Sequence, residues 1–189
     1  MPKTELNNLY CYERLMKEAN DDFVWPTIDE RHASSLCYSS GTTGSPKGVL
    51  YSHRSTILHS FACCSADGLA ISGRDTVMPV VPMFHVNAWG MPYASTMAGA
   101  KIVFPGSAMD GKSLAELLAD EKVTFTAGVP TVWLMLLQHL KETGESLPHL
   151  QRTVVGGSAL PQSMIETFEN HYNVACIHAW GMTEMSPLG

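Results

Sequence analysis

Residues 76–104 read TVMPVVPMFHVNAWGMPYASTMAGAKIVF. This stretch begins with an apolar run at 76–81 and ends with another at 101–104. Between them, at 88–97, apolar positions recur every three or four residues. Short apolar runs are typical of buried strands, and a three-to-four repeat is typical of a helix with one apolar face. The stretch therefore predicts a strand, a crossover helix and a second strand.

The same alternation extends along the chain from residue 34 onward. Strands are predicted at 36–38, 76–81, 101–104, 123–127, 152–155 and 174–178. Helices are predicted at 53–66, 88–97, 113–120, 132–142 and 162–170. Such alternation predicts an α/β fold with a mostly parallel sheet and helices on both faces. Residues 1–33 are charged and weakly periodic, so we expect a connecting segment with one short helix there and a single α/β core over 34–189.

The composition argues against several classes of protein. The chain has 189 residues, of which 45% are hydrophobic and 16% charged, and its formal net charge is -6. An acidic balance gives no reason to expect a nucleic-acid partner. No run approaches the roughly 18 to 20 apolar residues that a membrane-spanning helix needs, and the N-terminus is polar rather than signal-like. We therefore expect a cytoplasmic protein without a transmembrane segment, while peripheral membrane contact and oligomerisation stay open.

The cysteines and histidines form neither a disulfide pattern nor a metal-binding pattern. The five cysteines are odd in number, and no two of them form a C-x-x-C pair. They are Cys11, Cys37, Cys63, Cys64 and Cys176. We interpret them as small buried side chains in a reducing compartment. The eight histidines lack the spacing of zinc ligands. No transition-metal site built by the protein is expected.

The strongest functional signal follows the first predicted strand, where residues 38–48 read YSSGTTGSPKG. Glycines leave backbone N–H groups accessible to an anion, hydroxyls donate to phosphate oxygens, and a lysine adds positive charge. The pattern predicts a phosphate-binding loop directly after a strand and shortly before a helix, and a Gly/Ser linker is the less specific interpretation. The candidate ligands are Ser39, Ser40, Gly41, Thr42, Thr43, Gly44 and Lys47.

A second glycine-rich stretch, 106–113, reads GSAMDGKS and matches the Walker A pattern letter for letter. Two observations oppose a Walker loop here. Asp110 would place a carboxylate beside the phosphates, and no later strand ends in the acidic residue that would hold magnesium. We interpret the stretch as a turn and a helix start, in which Ser113 and Glu116 form a capping box.

Two further loops follow predicted strands, at the sheet edge where α/β proteins bind ligands. Residues 154–161 read VVGGSALP, and the paired glycines allow a flat group such as a purine ring to lie against the backbone. A plain strand-to-helix turn explains that pair equally well. Residues 178–184 read HAWGMTE, where Glu184 is a candidate magnesium ligand, since phosphate and water can supply the other ligands. A buried tryptophan beside a surface Thr and Glu is the plainer interpretation.

Four motifs, YSSGTTGSPKG, PMFHVNAWG, VVGGSALP and HAWGMTE, follow one another over nearly all of residues 23–189. In this order they resemble the adenylate-forming superfamily, and above all its fatty acyl-CoA synthetases. The resemblance implies an ATP-dependent ligase, in which a carboxylate attacks the α-phosphate of ATP and the thiol of coenzyme A then displaces AMP. The implied partners are a fatty acid, ATP with Mg2+, and coenzyme A, and residues 34–189 would be the nucleotide-binding core.

The resemblance assigns the phosphate and metal contacts as follows. The loop from Ser39 to Lys47 would hold the β- and γ-phosphates. Glu184 would be the main magnesium ligand, helped by Ser39 or Thr42. Thr183 would contact the α-phosphate, and with Glu184 it would belong to the catalytic set.

The resemblance also assigns the adenine and acyl contacts. Gly156, Gly157 and Ser158 would border the adenine. The nucleotide-binding set would continue with His178, Ala179, Trp180 and Gly181, of which the Trp180 ring would stack on adenine. His85 would lie beside the reacting carboxylate as a catalytic residue, and Trp89 would act with it as a gate to an acyl tunnel. Without the resemblance, His85 and Trp89 are more simply interpreted as packing residues.

Synthetases of this superfamily continue beyond the HAWGMTE motif into a ribose-binding Asp motif, a hinge and a small domain with the adenylation lysine. We therefore expect an excised core of the large N-terminal domain that is catalytically incomplete alone. Open alternatives are an aryl- or amino-acid-adenylating enzyme, a non-catalytic nucleotide- or acyl-binding fragment and, more distantly, a P-loop NTPase. Residues 82–100 offer no carboxylate to bind the ammonium group of an amino acid, which favours a fatty acid.

Overall fold

The computed structural model describes residues 7, 9–39 and 44–188. The strands of this part are β1 (Ala33–Ser39), β2 (Lys47–Ser52), β3 (Thr76–Pro79), β4 (Lys101–Ile102), β5 (Phe125–Gly128), β6 (Arg152–Val155) and β7 (Ala175–His178). The helices are α1 (Tyr12–Glu18), α2 (His53–Cys64), α3 (Val86–Trp89), α4 (Met91–Ala98), α5 (Gly111–Asp120), α6 (Pro130–Thr143) and α7 (Gln162–Glu166). Strands and helices alternate from β3 onward, as predicted.

Strands β3 to β7 form one parallel sheet in the order β4-β3-β5-β6-β7. The chain passes from β3 to the edge strand β4 and returns to β5 on the other side of β3. In open α/β sheets, ligands bind beyond the carboxyl ends of the strands, where the strand order reverses in this way. The α/β prediction is confirmed, and the sheet order directs attention to the loops that leave β3, β5, β6 and β7.

Two apolar clusters cover the two faces of this sheet. The neighbouring residues Val77 and Met78 of β3 are both fully buried but belong to different clusters, because successive side chains of a strand point to opposite faces. Helices α5, α6 and α7 contribute Leu114, Trp133 and Met164 to one cluster. Helices α2 and α4 lie on the other face. Burial on both sides explains why these strands are almost continuously apolar.

The first predicted strand does not belong to the parallel sheet, which corrects the sequence-based interpretation. Strands β1 and β2 form a separate antiparallel hairpin, and the phosphate-loop motif connects them. A helix therefore follows only after β2, which the sequence analysis missed. The outward side chains Leu36, Tyr38 and Leu50 are exposed while Cys37 and Tyr51 are buried, and this alternation is typical of a strand with one covered face.

Two predicted helices differ from the observed ones. The helix predicted at 88–97 is observed as two pieces over 86–98: the single turn α3, in which all four residues have positive φ, and, after Gly90, the right-handed helix α4. The segment predicted at 162–170 begins as α7 and continues as a π-helix over Thr167–His171. A repeat of apolar positions predicts a helical face but carries no information about such changes of backbone conformation.

The Walker-like stretch is a helix start, as interpreted, but its cap is a different residue. Asp110 is the N-cap of α5, and its carboxylate accepts hydrogen bonds from the backbone N–H of Ser113 at 3.0 Å and from the Ser113 hydroxyl at 2.7 Å. The predicted capping box of Ser113 and Glu116 is therefore wrong. A side chain at Gly111 would collide with the carbonyl oxygen of Met135, so this glycine serves helix packing.

The short helix that was predicted before residue 33 is observed as α1, and the described side chains of residues 7 and 9–32 are exposed or partly exposed. Among the described residues, no helix is both long and apolar enough to cross a membrane.

Candidate active site

Three segments meet around one cavity at the carboxyl edge of the parallel sheet. They follow β3, β6 and β7, and the backbone extends the sheet pairing into them, because Ala179 N–H donates to Val155 O at 2.9 Å. The cavity has a volume of about 200 Å³. Its lining consists of His85, Val86, Trp89, Gly156, Gly157, Ala179, Trp180, Gly181, Met182, Thr183, Pro187 and Leu188.

Most of the residues that the sequence singled out after β3, β6 and β7 line this cavity. They are His85, Trp89, Gly156, Gly157, Ala179, Trp180, Gly181 and Thr183. Other predicted residues are described but do not line it, namely Ser39, Gly44, Lys47, Ser158, His178 and Glu184. Residues 40–43, with Ser40, Gly41, Thr42 and Thr43, lie outside the described residues.

The aromatic ring that packs against the paired glycines is the side chain of Trp89. The side chain of Trp89 is only 5% exposed, and its Cη2 lies 3.2 Å from the position that a Cβ on Gly156 would take. That Cβ would also lie 2.9 Å from the carbonyl oxygen of Ala179. Glycine at 156 is thus required by close backbone approach, and Trp89 occupies the space that its missing side chain leaves.

The turn that positions His85 and Trp89 has a strained backbone. Residues 86–89 have φ between 42° and 56°, and Gly90 follows with φ 72°. The left-handed conformation costs roughly 1–2 kcal/mol for a residue with a Cβ, so surrounding contacts must hold it. Two contacts do so: the Asn87 amide donates to the Ser35 hydroxyl at 2.8 Å, and the ring of His59 packs against Gly90.

The segment after β7 folds back on itself and presents Thr183 and Glu184. Met182 N–H donates to Pro187 O at 2.9 Å, and Gly181 pairs with Leu188. Within this fold, Thr183 is buried and Glu184 is exposed. The two side chains therefore point to different environments from adjacent positions.

Two side chains from other elements hold this segment, 181–188. The Tyr51 hydroxyl donates a hydrogen bond to the carbonyl oxygen of Thr183. Leu188 N–H donates to His59 Nε2 at 3.3 Å. Burial lowers the pKa of His59 and so favours the neutral ring, which has one nitrogen able to accept a hydrogen bond.

A profile of AMP-binding enzymes matches residues 4–189. The chain belongs to the AMP-binding enzyme family. This confirms the resemblance that the four sequence motifs indicated.

Two ligases resemble the chain in sequence, and one solved structure resembles it in fold. The chain is 56% identical to a medium-chain-fatty-acid–CoA ligase of Ectopseudomonas oleovorans, over 98% of this chain and 34% of that protein. It is 55% identical to a 3-methylmercaptopropionyl-CoA ligase of Ruegeria lacuscaerulensis, again over 98% and 34%. The crystal structure of a long-chain-fatty-acid-CoA ligase from Archaeoglobus fulgidus superposes with a TM-score of 0.80 at 24% identity, over 93% of this chain and 37% of that one. The chain thus spans about a third of the length of these relatives.

The oxygen atoms beside the cavity suit a magnesium ion that arrives with a nucleotide. In residues 7, 9–39 and 44–188, no three His, Cys, Asp or Glu side chains converge as a complete metal site. Glu184 instead offers one exposed carboxylate next to Thr183. Magnesium bound with a nucleotide takes one or two protein oxygens and completes its shell with phosphate and water. Glu184 fits that requirement.

Tyr51, His59 and Asn87 were missed by the sequence analysis. Asn87 lies inside the PMFHVNAWG motif but had no assigned role, and His59 lies in a predicted helix. Tyr51 shares the two-residue repeat of β2 with Lys47, so recognising β2 as a strand would have indicated that both side chains are on one face. The residues that contact Tyr51, His59 and Asn87 are distant from them in sequence, so no local motif indicates these contacts.

Proposed function

We propose that this protein is an ATP-dependent fatty acyl-CoA ligase and that this chain supplies its adenylate-binding core. The observation that carries the proposal is the convergence of three loops, after β3, β6 and β7, on one cavity at the carboxyl edge of the sheet. The match to the AMP-binding enzyme family and the names of the relatives support it.

In the first step, a carboxylate oxygen of the fatty acid attacks the α-phosphorus of ATP, and the bond to the bridging oxygen of the β-phosphate breaks. Pyrophosphate leaves and an acyl-adenylate remains. Thr183 would contact the α-phosphate, and Glu184 would hold a Mg2+ ion, which would supply positive charge against the phosphates. Ser39 and Lys47, at the two ends of the loop between β1 and β2, hold the β- and γ-phosphates. Catalysis rests on positioning and charge neutralisation rather than on a protein nucleophile.

The residues that bind the adenine and the acyl group line this one cavity or adjoin it. Trp180, whose side chain is 66% exposed, stacks on the adenine, while Gly156, Gly157 and Ser158 border it. His85 lies beside the reacting carboxylate. Trp89 packs against Gly156 at the wall of the cavity and forms, in this proposal, the gate to the acyl tunnel.

The acyl group is an uncharged chain in this proposal. The described lining of the cavity contains no acidic residue, so an amino acid would find no partner for its ammonium group there. One relative is named for medium-chain fatty acids and another for 3-methylmercaptopropionate, and the two are almost equally similar to this chain. Both acids are unbranched and uncharged beyond the carboxylate, which is the substrate class that we propose.

In the second step, the thiol of coenzyme A attacks the acyl carbon and the carbon–oxygen bond to AMP breaks, with loss of the thiol proton.

We also propose a cytoplasmic location, residues 34–189 as the nucleotide-binding core and residues 1–33 as a connecting segment.

The test is pyrophosphate exchange into ATP by the protein at its full encoded length, with fatty acids of increasing length. The exchange should require both a fatty acid and Mg2+. Glu184→Gln should lower kcat by roughly 100- to 1,000-fold, because the Mg2+ ion that offsets the negative charge of the phosphates would lose its carboxylate ligand. Glu142→Gln, at the far end of α6, is the matched control and should leave the exchange unchanged.

Two results would contradict the proposal. Faster exchange with amino acids than with fatty acids would favour an amino-acid-adenylating enzyme. Nucleotide binding without any exchange would favour a non-catalytic binding protein.

A further inference from the structure

One side-chain hydrogen bond joins the hairpin of β1 and β2 to residues 181–188, the turn that carries Thr183 and Glu184. Among the described residues it is the only side-chain hydrogen bond between strands β1 and β2 and residues 181–188. The donor is the Tyr51 hydroxyl on β2 and the acceptor is the carbonyl oxygen of Thr183, 132 residues later. The Tyr51 side chain is 5% exposed, so neither group has bulk water as an alternative partner.

The geometry of the hairpin connects this hydrogen bond with the phosphate loop. In the register of the two strands, Ser39 pairs with Lys47 and Ser35 pairs with Tyr51. Residues two and four apart on a strand share a face, and directly paired residues of antiparallel strands share it too. Ser39, Lys47 and Tyr51 therefore belong to one face of the hairpin. The strand rise places Lys47 about 13 Å from Tyr51 along β2.

The opposite face of the hairpin makes no comparable contact in the described structure. Its side chains Leu36, Tyr38 and Leu50 are more than half exposed. The hairpin thus approaches the body of the molecule through the face that carries Tyr51. Through Tyr51, this face is hydrogen-bonded to Thr183, the residue before Glu184.

The hydroxyl keeps its proton under ordinary conditions. Burial, with the thiol of Cys37 and the carboxylate of Glu184 nearby, raises the pKa of Tyr51 to about 12. The phenol therefore donates its hydrogen bond throughout the neutral range.

We infer that Tyr51 is a positioning residue for acyl adenylation: its hydrogen bond to Thr183 sets the spacing between the phosphate-binding hairpin and the turn that carries Thr183 and Glu184. The inference rests on the proposed function, since it concerns the same site. It goes further in one respect, because it makes Tyr51 matter for one half-reaction only. The β- and γ-phosphates are present during adenylation and have left before coenzyme A reacts.

The decisive experiment compares the two half-reactions in Tyr51→Phe, with the protein at its full encoded length. Pyrophosphate exchange should fall about ten-fold in kcat, with the KM for the fatty acid unchanged and a higher Mg2+ concentration needed for half-maximal rate. Thioester formation from preformed acyl-adenylate and coenzyme A should stay at the wild-type rate. A general loosening of the fold would lower both rates together.

Two further variants keep the test independent of stability. Tyr38→Phe removes a hydroxyl from the exposed face of the same hairpin and should change neither half-reaction. Replacing Tyr51 with 4-aminophenylalanine restores a hydrogen-bond donor at the same position and should recover the exchange rate. Failure of this rescue, or equal losses in both half-reactions, would overturn the inference.

The outcome for Tyr51 is distinguishable from the outcome for the proposed function. A wild-type protein that performs no fatty-acid-dependent exchange would contradict the function itself. An active wild type with an equally active Tyr51→Phe variant would overturn only the role of Tyr51.

Discussion

Gly156 and Gly157 are adjacent in sequence, but a methyl group at each would meet different surroundings. At Gly156 it would contact the carbonyl oxygen of Ala179 at 2.9 Å and the ring of Trp89 at 3.2 Å. At Gly157 the φ of 82° would be strained, and the nearest atom would be Cγ1 of Val129 at 3.3 Å. The first glycine is thus required by contact and the second mainly by conformation.

Gly156→Ala should impair catalysis because the methyl group displaces Trp89 or the backbone after β7. We expect kcat/KM for the fatty acid to fall on the order of 10- to 100-fold, as misplaced reacting groups do. The measurement is pyrophosphate exchange over a range of fatty-acid concentrations.

Gly144→Ala is the control for this substitution. Gly144 ends α6 with φ 75° and has no atom within 4 Å of the added methyl group. It should lower the free energy of unfolding by about 1–2 kcal/mol and leave the kinetics unchanged. Wild-type kinetics in Gly156→Ala would show that Trp89 does not need its position against this glycine.

At the scale of elements, α4 is bounded by two glycines in the same backbone conformation. Gly90 precedes the helix with φ 72°, and Gly99 follows it with φ 73°. Only Gly90 faces another side chain, since a methyl group there would lie 2.6 Å from Nδ1 of His59, whereas Gly99 has open space. The pair separates the cost of conformation from the cost of contact.

Gly90→Ala should therefore destabilise the protein more than Gly99→Ala does. Both lose about 1–2 kcal/mol from the positive φ, and Gly90→Ala should lose about 1–3 kcal/mol more from the collision with His59. Urea unfolding of the two variants measures the difference. Adding His59→Ala to both backgrounds should reduce that difference, and a difference that persists would place its origin elsewhere.

The hairpin shows where element prediction from sequence fails. The phosphate-loop motif after β1 was recognised from its composition, but the strand before it was assigned to the parallel sheet. Strand β2 begins with Lys47 and Gly48, so its apolar run, 49–51, is only three residues long, and the burial of these three side chains alternates. A strand of this kind is revealed by its pairing with β1, which sequence periodicity does not report.

At the scale of the whole molecule, the two edges of the sheet are built differently. The amino edge is held by a buried ion pair in which Arg152 contacts Asp75 at 2.9 Å, donates to two backbone carbonyls and lies 4.8 Å above the Phe125 ring. Burial disfavours the charged carboxylate, but hydrogen bonds from Arg152, Ser72 and Thr124 outweigh it, so the pKa of Asp75 is lowered. The carboxyl edge carries the glycines and the strained turn of the candidate site.

The stability of the whole molecule should decrease at alkaline pH. Burial raises the pKa of Cys63 from 9.0 to about 12 and that of Cys176 to about 11. Because the folded state holds these protons more tightly than the unfolded state, stability is complete below pH 9 and is lost as pH rises toward the folded pKa values. For Cys63 the loss between about pH 8 and about pH 10.5 should be about 2 kcal/mol.

Urea unfolding of Cys63→Ser at these two pH values tests this expectation. The loss of unfolding free energy between the two pH values should be about 2 kcal/mol smaller in Cys63→Ser than in the wild type. Cys11→Ser, in the connecting segment, is the control and should retain the wild-type difference. An unchanged pH dependence in Cys63→Ser would show that another group causes the loss.

The sequence alone determined the α/β class, the alternation of strands and helices from β3 onward, and most residues around the cavity, because repeats of apolar positions and glycine-rich motifs are local properties. Only the tertiary structure decided that the hairpin stands apart from the sheet, that Trp89 rests on Gly156, and that Tyr51 reaches Thr183. Each of these is a contact between segments distant along the chain. Their distances follow from how the strands, turns and helices pack together, and no single stretch of sequence contains that information.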